Sequence, residues 1–124
     1  MRHKLQAIQG DRQSFIAKFG RYGQTKKGYY DPYHPTILLQ DLTTVHNHTI
    51  VADHLWVQLK NNPSLYDHTF KQGDYLEFLA TVEPYRKGYQ GKRIDLIISR
   101  PVRTDYHLAH ITDVRVITDD VIMP

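Results

Sequence analysis

Two short segments of the chain combine basic residues with tyrosines. Residues 21–34 read RYGQTKKGYYDPYH, and residues 83–93 read EPYRKGYQGKR. Together they hold seven of the 16 Lys and Arg residues and six of the nine Tyr residues, opposed by Asp31 and Glu83. Cationic side chains bind phosphates and release counterions, whereas tyrosine rings stack on planar groups. The two segments are therefore expected to bind an extended anionic ligand that carries planar groups.

Both segments contain the triplet Lys-Gly-Tyr, at 27–29 and at 87–89. Their glycines, at 23, 28, 88 and 91, and Pro84 favour loops over regular structure. Glycine also lets a loop backbone approach a ligand closely. We expect both segments to be loops of the binding surface.

Histidines raise the alternative of a metal site. His46 and His48 flank an asparagine, and Asp53 precedes His54. A structural zinc site almost always has four ligands, and no further ligand follows these residues at a fixed spacing. The histidines at 46 and 48 are expected to lie in a solvated turn, and we predict no metal and no cofactor.

Carboxylates raise the alternative of a nuclease centre, at Asp41, Asp53, Asp74, Glu77 and Asp95. Asp74 follows a glycine and is expected in a turn. Glu77 and Asp95 occupy polar positions of predicted strands, where Arg93 is the expected partner of one of them. The chain contains neither a glycine-rich phosphate loop nor a nucleophile motif, so we predict that it is not an enzyme.

Composition limits the setting in which the protein works. At 124 residues the chain is expected to form one domain, its net charge is +3, and it has no Cys. Cysteine-free chains need no oxidising compartment. The N-terminus lacks the apolar run of a signal peptide, and no segment has the 18 apolar residues of a membrane span. We expect a cytoplasmic protein with no membrane partner.

Apolar residues alternate with polar ones along most of the chain, which predicts strands and an all-β fold. The predicted strands cover 14–20, 36–42, 50–60, 75–82 and 93–99, a sixth is possible at 109–118, and a helical turn is possible near Ser64. The alternation predicts the following inward-facing residues: Phe15, Ala17, Phe19, Val51, Leu55, Val57, Leu59, Leu76, Phe78, Ala80, Val82, Ile94, Leu96 and Ile98. Trp56 falls on the polar side of its strand. There it either caps the fold under residues 61–70 or stacks on a ligand.

This plan of strands and connections resembles that of OB-fold single-stranded nucleic acid binding proteins, over roughly residues 11–100. The resemblance implies a five-stranded OB-fold-like Greek-key barrel, with 101–124 as a C-terminal extension of unknown role. In such barrels the face of strands 2 and 3 and the 1-2 and 4-5 loops bind oligonucleotides or oligosaccharides. It therefore implies that the two Lys-Gly-Tyr segments meet at one groove.

On this basis we predict binding of single-stranded nucleic acid, DNA more than RNA, with weak base preference. The residues predicted to contact phosphates are Arg21, Lys26, Lys27, Arg86, Lys87, Lys92 and Arg93. Those predicted to stack are Tyr22, Tyr29, Tyr30, Tyr33, Tyr85, Tyr89 and Trp56. The alternative is a protein interaction module, such as an accessory or inhibitor protein of a mobile element, whose Tyr-rich loops contact a protein partner.

Overall fold

The computed structural model describes residues 3–25, 33–87 and 103–117 of the chain. These residues form five strands, an N-terminal helix and a 3-10 helix. The strands are β1 (Arg12–Thr25), β2 (His34–Thr44), β3 (Ile50–Gln58), β4 (Tyr75–Lys87) and β5 (Arg103–Ile117). The helix α1 covers His3–Ala7, and the 3-10 helix covers Pro63–Asp67.

The five strands form one antiparallel sheet in the order β3-β2-β1-β4-β5. The central strand β1 pairs with β4 along its first half and with β2 along most of its length. Strands β3 and β5 are the two edges, and the sheet is not closed between them over the described residues. The all-β prediction is confirmed.

The core lies on one face of the sheet, where the alternation predicted it. All predicted inward residues of β1, β3 and β4, together with Leu59 just after β3, are buried. Leu5 of α1 is fully buried against the same core, and the 3-10 helix adds Leu65. Helix α1 was not predicted, because five residues are too few to show a helical repeat. The predicted helical turn near Ser64 is confirmed by the 3-10 helix.

Backbone bulges interrupt the alternation in β2 and β5. Asp41, His110 and Asp113 each adopt a positive φ, between 51° and 55°. The pairing register shifts by one residue at each of these places. In β2 the bulge explains why Leu39 and Leu42, three residues apart, are both buried. Bulges bend a strand and increase its twist, so they help to curl this sheet toward its own far edge.

The curled sheet brings its two edges into contact near the 3-10 helix. Asn62, just after β3, is 3% exposed. Its side-chain Oδ1 accepts a hydrogen bond from the backbone N–H of Ile111 in β5 at 3.1 Å. Its Nδ2 donates to the backbone oxygen of Gln58 at 2.9 Å. This one side chain therefore joins the end of β3 to the opposite edge strand.

Strands β1 and β4 extend further than predicted. Residues 21–25 continue β1 and pair with β2, and residues 83–87 continue β4 and pair with β5. The prediction that these residues are loop is wrong, because a neighbouring strand supplies a ladder partner at each position. Pro84 is tolerated because β4 pairs with β1 only as far as Thr81, so beyond that point one side of the strand has no ladder formed by the described residues that a proline would interrupt.

Two further parts of the predicted plan concern the C-terminal third of the chain. The predicted fifth strand, 93–99, lies outside the described residues. Residues 103–117, predicted to belong to an extension of unknown role, form edge strand β5 and contribute Leu108 and Ile111 to the core. In the described part of the chain, neither helix has the length and apolar character that crossing a membrane requires.

Candidate nucleic-acid interface

A groove of about 760 Å³ lies between the two edges of the sheet. We call it the edge groove. One wall comes from the end of β3 and the turn after it, and the other from β4 and β5. The residues that line the first wall include Trp56, Gln58 and Asn61. Those that line the second wall include Glu83, Tyr85, Arg86, His107 and His110. Across the groove, these residues are therefore 22 to 54 positions apart in sequence.

Trp56 projects from the face of the sheet opposite the core, and 41% of its surface is exposed. Strand pairing places it in one row with Leu38 of β2 and Arg21 of β1. The guanidinium carbon of Arg21 lies 5.2 Å from the centroid of the indole ring. This distance is within the range of cation–π attraction. The pair places an aromatic ring beside a cation. A nucleotide can stack its base on such a ring while the cation binds its phosphate.

The indole ring of Trp56 extends over Gly23 of β1. A Cβ atom on Gly23 would lie 2.8 Å from Cζ3 of Trp56 and 3.1 Å from Oγ1 of Thr36. Carbon atoms in contact are normally about 3.5 to 4.0 Å apart. A side chain at position 23 would therefore displace the ring. Gly23 was predicted to make a loop flexible. It lies instead in strand β1, where the absence of a side chain leaves space for the Trp56 ring.

Tyr85 and His107 form a second aromatic surface on the opposite wall. Their ring centroids are 5.0 Å apart and their planes differ by 16°. The Tyr85 hydroxyl donates a hydrogen bond to Oδ2 of Asp105 at 3.3 Å. The tyrosine remains 37% exposed, so part of its ring surface is open to a ligand. Arg86, the next residue along β4, also lines the groove.

The structure separates Tyr22 from the other predicted stacking residues. Its ring centroid lies 5.0 Å from that of Phe19, and its hydroxyl accepts a hydrogen bond from the backbone N–H of Phe70 at 2.9 Å. Its strand partner Ile37 is fully buried. Tyr22 therefore lies on the core side of the sheet, because it is the neighbour in β1 of the outward-facing Arg21, and 44% of the residue is exposed at the end of the core.

The remaining predicted residues are placed as follows. Tyr33 is 60% exposed at the start of β2, and it is not among the described residues that line the edge groove. Lys87 is the last residue of β4. Seven predicted residues lie outside the described ranges: Lys26, Lys27, Tyr29, Tyr30, Tyr89, Lys92 and Arg93.

Five of the groove side chains named above were not predicted as site residues: Gln58, Asn61, Glu83, His107 and His110. His107 was overlooked because its segment was read as an extension, although Tyr85 and His107 both carry aromatic rings on paired strands. Gln58 and Asn61 are ordinary polar residues whose side chains pair with each other, Nδ2 of Asn61 donating to Oε1 of Gln58 at 3.2 Å. Only the approach of β3 to β5 gives them a place in the groove.

Two of the carboxylates considered as a nuclease centre, Glu77 and Asp74, have structural partners. Glu77 forms an ion pair with Arg115 of β5. Arg93, the partner expected for either Glu77 or Asp95, lies outside the described residues, as does Asp95. Asp74 accepts a hydrogen bond from the backbone N–H of Lys71 at 3.0 Å, as expected of a turn residue. Among the residues that the structure describes, no three His, Asp or Glu side chains are grouped so as to hold a metal ion.

Comparison of the chain with protein-family models, curated proteins and solved structures finds no match.

Proposed function

We propose that this protein binds single-stranded nucleic acid in the edge groove, without catalysing a reaction. The observation that carries the proposal is the meeting of two aromatic surfaces, Trp56 and the Tyr85–His107 pair, across one open groove. Arg21 lies against the Trp56 ring, and Arg86 is a further basic residue that lines the groove. Unpaired bases stack on such rings whatever their identity, while the cations attract the phosphates.

The strand arrangement supports the proposal that the fold is OB-like. Strands β4, β1, β2 and β3 lie in the spatial order 4-1-2-3, which is the order of a Greek key. If β3 and β5 were joined, the five strands would form a barrel. OB-folds are five-stranded, partly open barrels that bind oligonucleotides on the face of strands 2 and 3. Trp56 and Leu38 lie on the corresponding face here.

Base stacking on the two aromatic surfaces would supply part of the binding free energy of a micromolar complex. A stacked base contributes about 1 to 3 kcal/mol as measured by alanine substitution. Two stacked bases would then contribute about 2 to 6 kcal/mol, against the roughly 8 kcal/mol that a micromolar dissociation constant represents. The rest must come from phosphate contacts. Arg21, Arg86 and the predicted basic residues outside the described ranges are the candidates for these contacts.

Fluorescence anisotropy with labelled 15-nucleotide single strands of DNA and RNA, and with duplex DNA, tests the proposal. We expect single strands to bind more tightly than duplex, and we expect affinity to fall as salt rises from 50 to 200 mM. The expected log-log slope is about −0.7 per phosphate contacted. Comparing the affinities for a DNA strand and an RNA strand of the same sequence shows which nucleic acid is preferred.

A pair of variants ties the binding to the groove. Trp56→Ala removes one stacking surface, so the dissociation constant should rise about 5- to 150-fold. Tyr66→Ala is the matched control, because Tyr66 is 57% exposed on the 3-10 helix and is not a described lining residue of the groove. It should leave affinity unchanged. Equal effects of the two substitutions would show that the strand does not bind at Trp56.

Absence of binding at low salt would refute the proposal and favour the protein interaction module. In that case the same aromatic groove would contact a protein, and the edges of β3 and β5 would offer backbone groups to it. A pull-down with the wild-type chain, compared with Trp56→Ala, would then be the next experiment.

A further inference from the structure

Glu83 places a carboxylate in the groove where the proposed function calls for cations. It lies on β4, two residues before Tyr85, and lines the same wall. Its side chain is 42% exposed. A carboxylate repels phosphates, so this residue opposes binding unless it contacts another part of the ligand.

Two histidines face the Glu83 carboxylate without closing it off. Nε2 of His107 lies 3.8 Å from Oε1, and Nε2 of His110 lies 3.4 Å from Oε2. Charge-assisted hydrogen bonds from nitrogen to a carboxylate are shorter, about 2.7 to 2.9 Å. The carboxylate therefore lies between the two histidines, and both of its oxygens can still accept hydrogen bonds from a ligand.

The carboxylate is well placed relative to the stacking surface. Residues two apart on a strand face the same side and are about 6.4 to 6.8 Å apart along it. Tyr85 lies at that distance from Glu83 along β4, and the ring of His107 is stacked on it. A base stacked on this pair would lie beside the carboxylate, because Nε2 of the same His107 is 3.8 Å from Oε1 of Glu83.

Guanine is the base whose edge matches a carboxylate. Its Watson–Crick edge carries two adjacent donors, N1–H and the N2 amino group, and a carboxylate has two acceptor oxygens and no donor. Cytosine and adenine each offer one amino group beside an acceptor nitrogen. Thymine offers one N–H between two carbonyl oxygens. In each of these three bases an acceptor would face the carboxylate.

We infer that Glu83 is a specificity-determining residue that makes the edge groove prefer guanine at one position of the bound strand. The inference rests on the proposed function and sharpens it, since stacking alone gives only weak base preference. A good bidentate contact to a base discriminates by about 5- to 150-fold in affinity. One such contact would dominate the choice of base at that position.

The test uses 15-nucleotide strands of thymidine in which the central nucleotide is dT, dG, dA, dC or deoxyinosine. A single guanine avoids structures formed by guanine runs. We expect the dG strand to bind about tenfold or more tightly than the dT, dA and dC strands. Deoxyinosine lacks the N2 amino group, so its strand should lose most of the advantage. This comparison uses the wild-type protein and does not depend on the folding of a variant.

Glu83→Gln tests the residue itself. An amide has one acceptor oxygen and one donor NH2, so the dG preference should disappear while binding of the dT strand is kept or improved. Asp53→Asn is the control, because it removes an exposed carboxylate of β3 at a position that does not line the groove. It should leave the dG preference intact.

The outcomes separate this inference from the function on which it rests. Equal affinity for all five strands, a preference for dA or dC, or a dG preference that survives in Glu83→Gln would overturn the role of Glu83 while leaving single-strand binding in place. Failure of every strand to bind at low salt would overturn both.

Discussion

The link between the end of β3 and edge strand β5 depends on the side chain of Asn62. Replacing Asn62 by leucine should therefore break this link. Asn62→Leu is similar in size but has no polar atoms. Its first consequence is the loss of the acceptor for the N–H of Ile111, a residue that is 2% exposed. Its second is the loss of the bond from Nδ2 to the Gln58 oxygen.

The expected magnitude follows from these two bonds. Leaving a buried N–H without a partner costs about 1 to 3 kcal/mol, and a typical hydrogen bond contributes about 0.5 to 1.5 kcal/mol. The free energy of unfolding should fall by about 2 to 4 kcal/mol in total. A domain stable by about 5 to 15 kcal/mol would remain folded in most of that range. With a urea dependence near 2 kcal/mol per molar, the midpoint should move down by about 1 to 2 M.

Urea unfolding followed by circular dichroism measures this change, and hydrogen exchange at the Ile111 amide localises it. We expect that amide to exchange faster in Asn62→Leu, while amides in the central strand β1 show no more than the global loss of stability. Asn61→Ala is the matched control, because the Asn61 amide is exposed and pairs only with the Gln58 side chain among its described contacts. If both variants unfold at the same urea concentration as the wild type, Asn62 does not hold the two edges together.

Two further substitutions separate the groove from the core. Gly23→Ala should displace the Trp56 ring by about 0.7 Å, from 2.8 Å to normal contact, and should weaken single-strand binding several-fold with little loss of stability. The fluorescence of Trp56, the only tryptophan of the chain, reports that displacement, and unchanged emission would contradict it. Tyr22→Phe should do the reverse. Loss of the partner of the Phe70 N–H should lower stability by about 1 kcal/mol or more without changing affinity, and a change in affinity would place Tyr22 in the interface.

Side-chain facing was predictable wherever the alternation ran unbroken. In β4 the alternating residues Leu76, Phe78, Ala80 and Val82 are all buried, as their spacing predicted. With a two-residue period, only one pairing register buries this set of side chains on the core face. Trp56 was correctly placed on the polar face for the same reason. The prediction failed to anticipate the bulges at Asp41 and His110, because aspartate and histidine do not require a positive φ.

The loop prediction for residues 21–25 and 83–87 shows a different limit. Arg21 and Tyr85 lie in segments rich in glycine and charge, which favours loops locally. Both segments are strands because a neighbouring strand pairs with them, and local composition contains no information about that neighbour. Tyr22 shows the consequence. A residue in a loop has no fixed facing, whereas in β1 it must face away from Arg21.

The sequence by itself determined that the chain is all-β, which apolar residues of β1 and β4 enter the core, and that cations and aromatic rings are concentrated in two segments. These properties follow from side-chain chemistry and from the two-residue period, both of which are local. Only the tertiary structure decided that Trp56 on β3 lines one groove with Tyr85 on β4 and His107 on β5, and that Glu83 lies between two histidines. That meeting depends on the curl of the sheet, which arises from bulges and from long-range pairing, and no residue type encodes it alone.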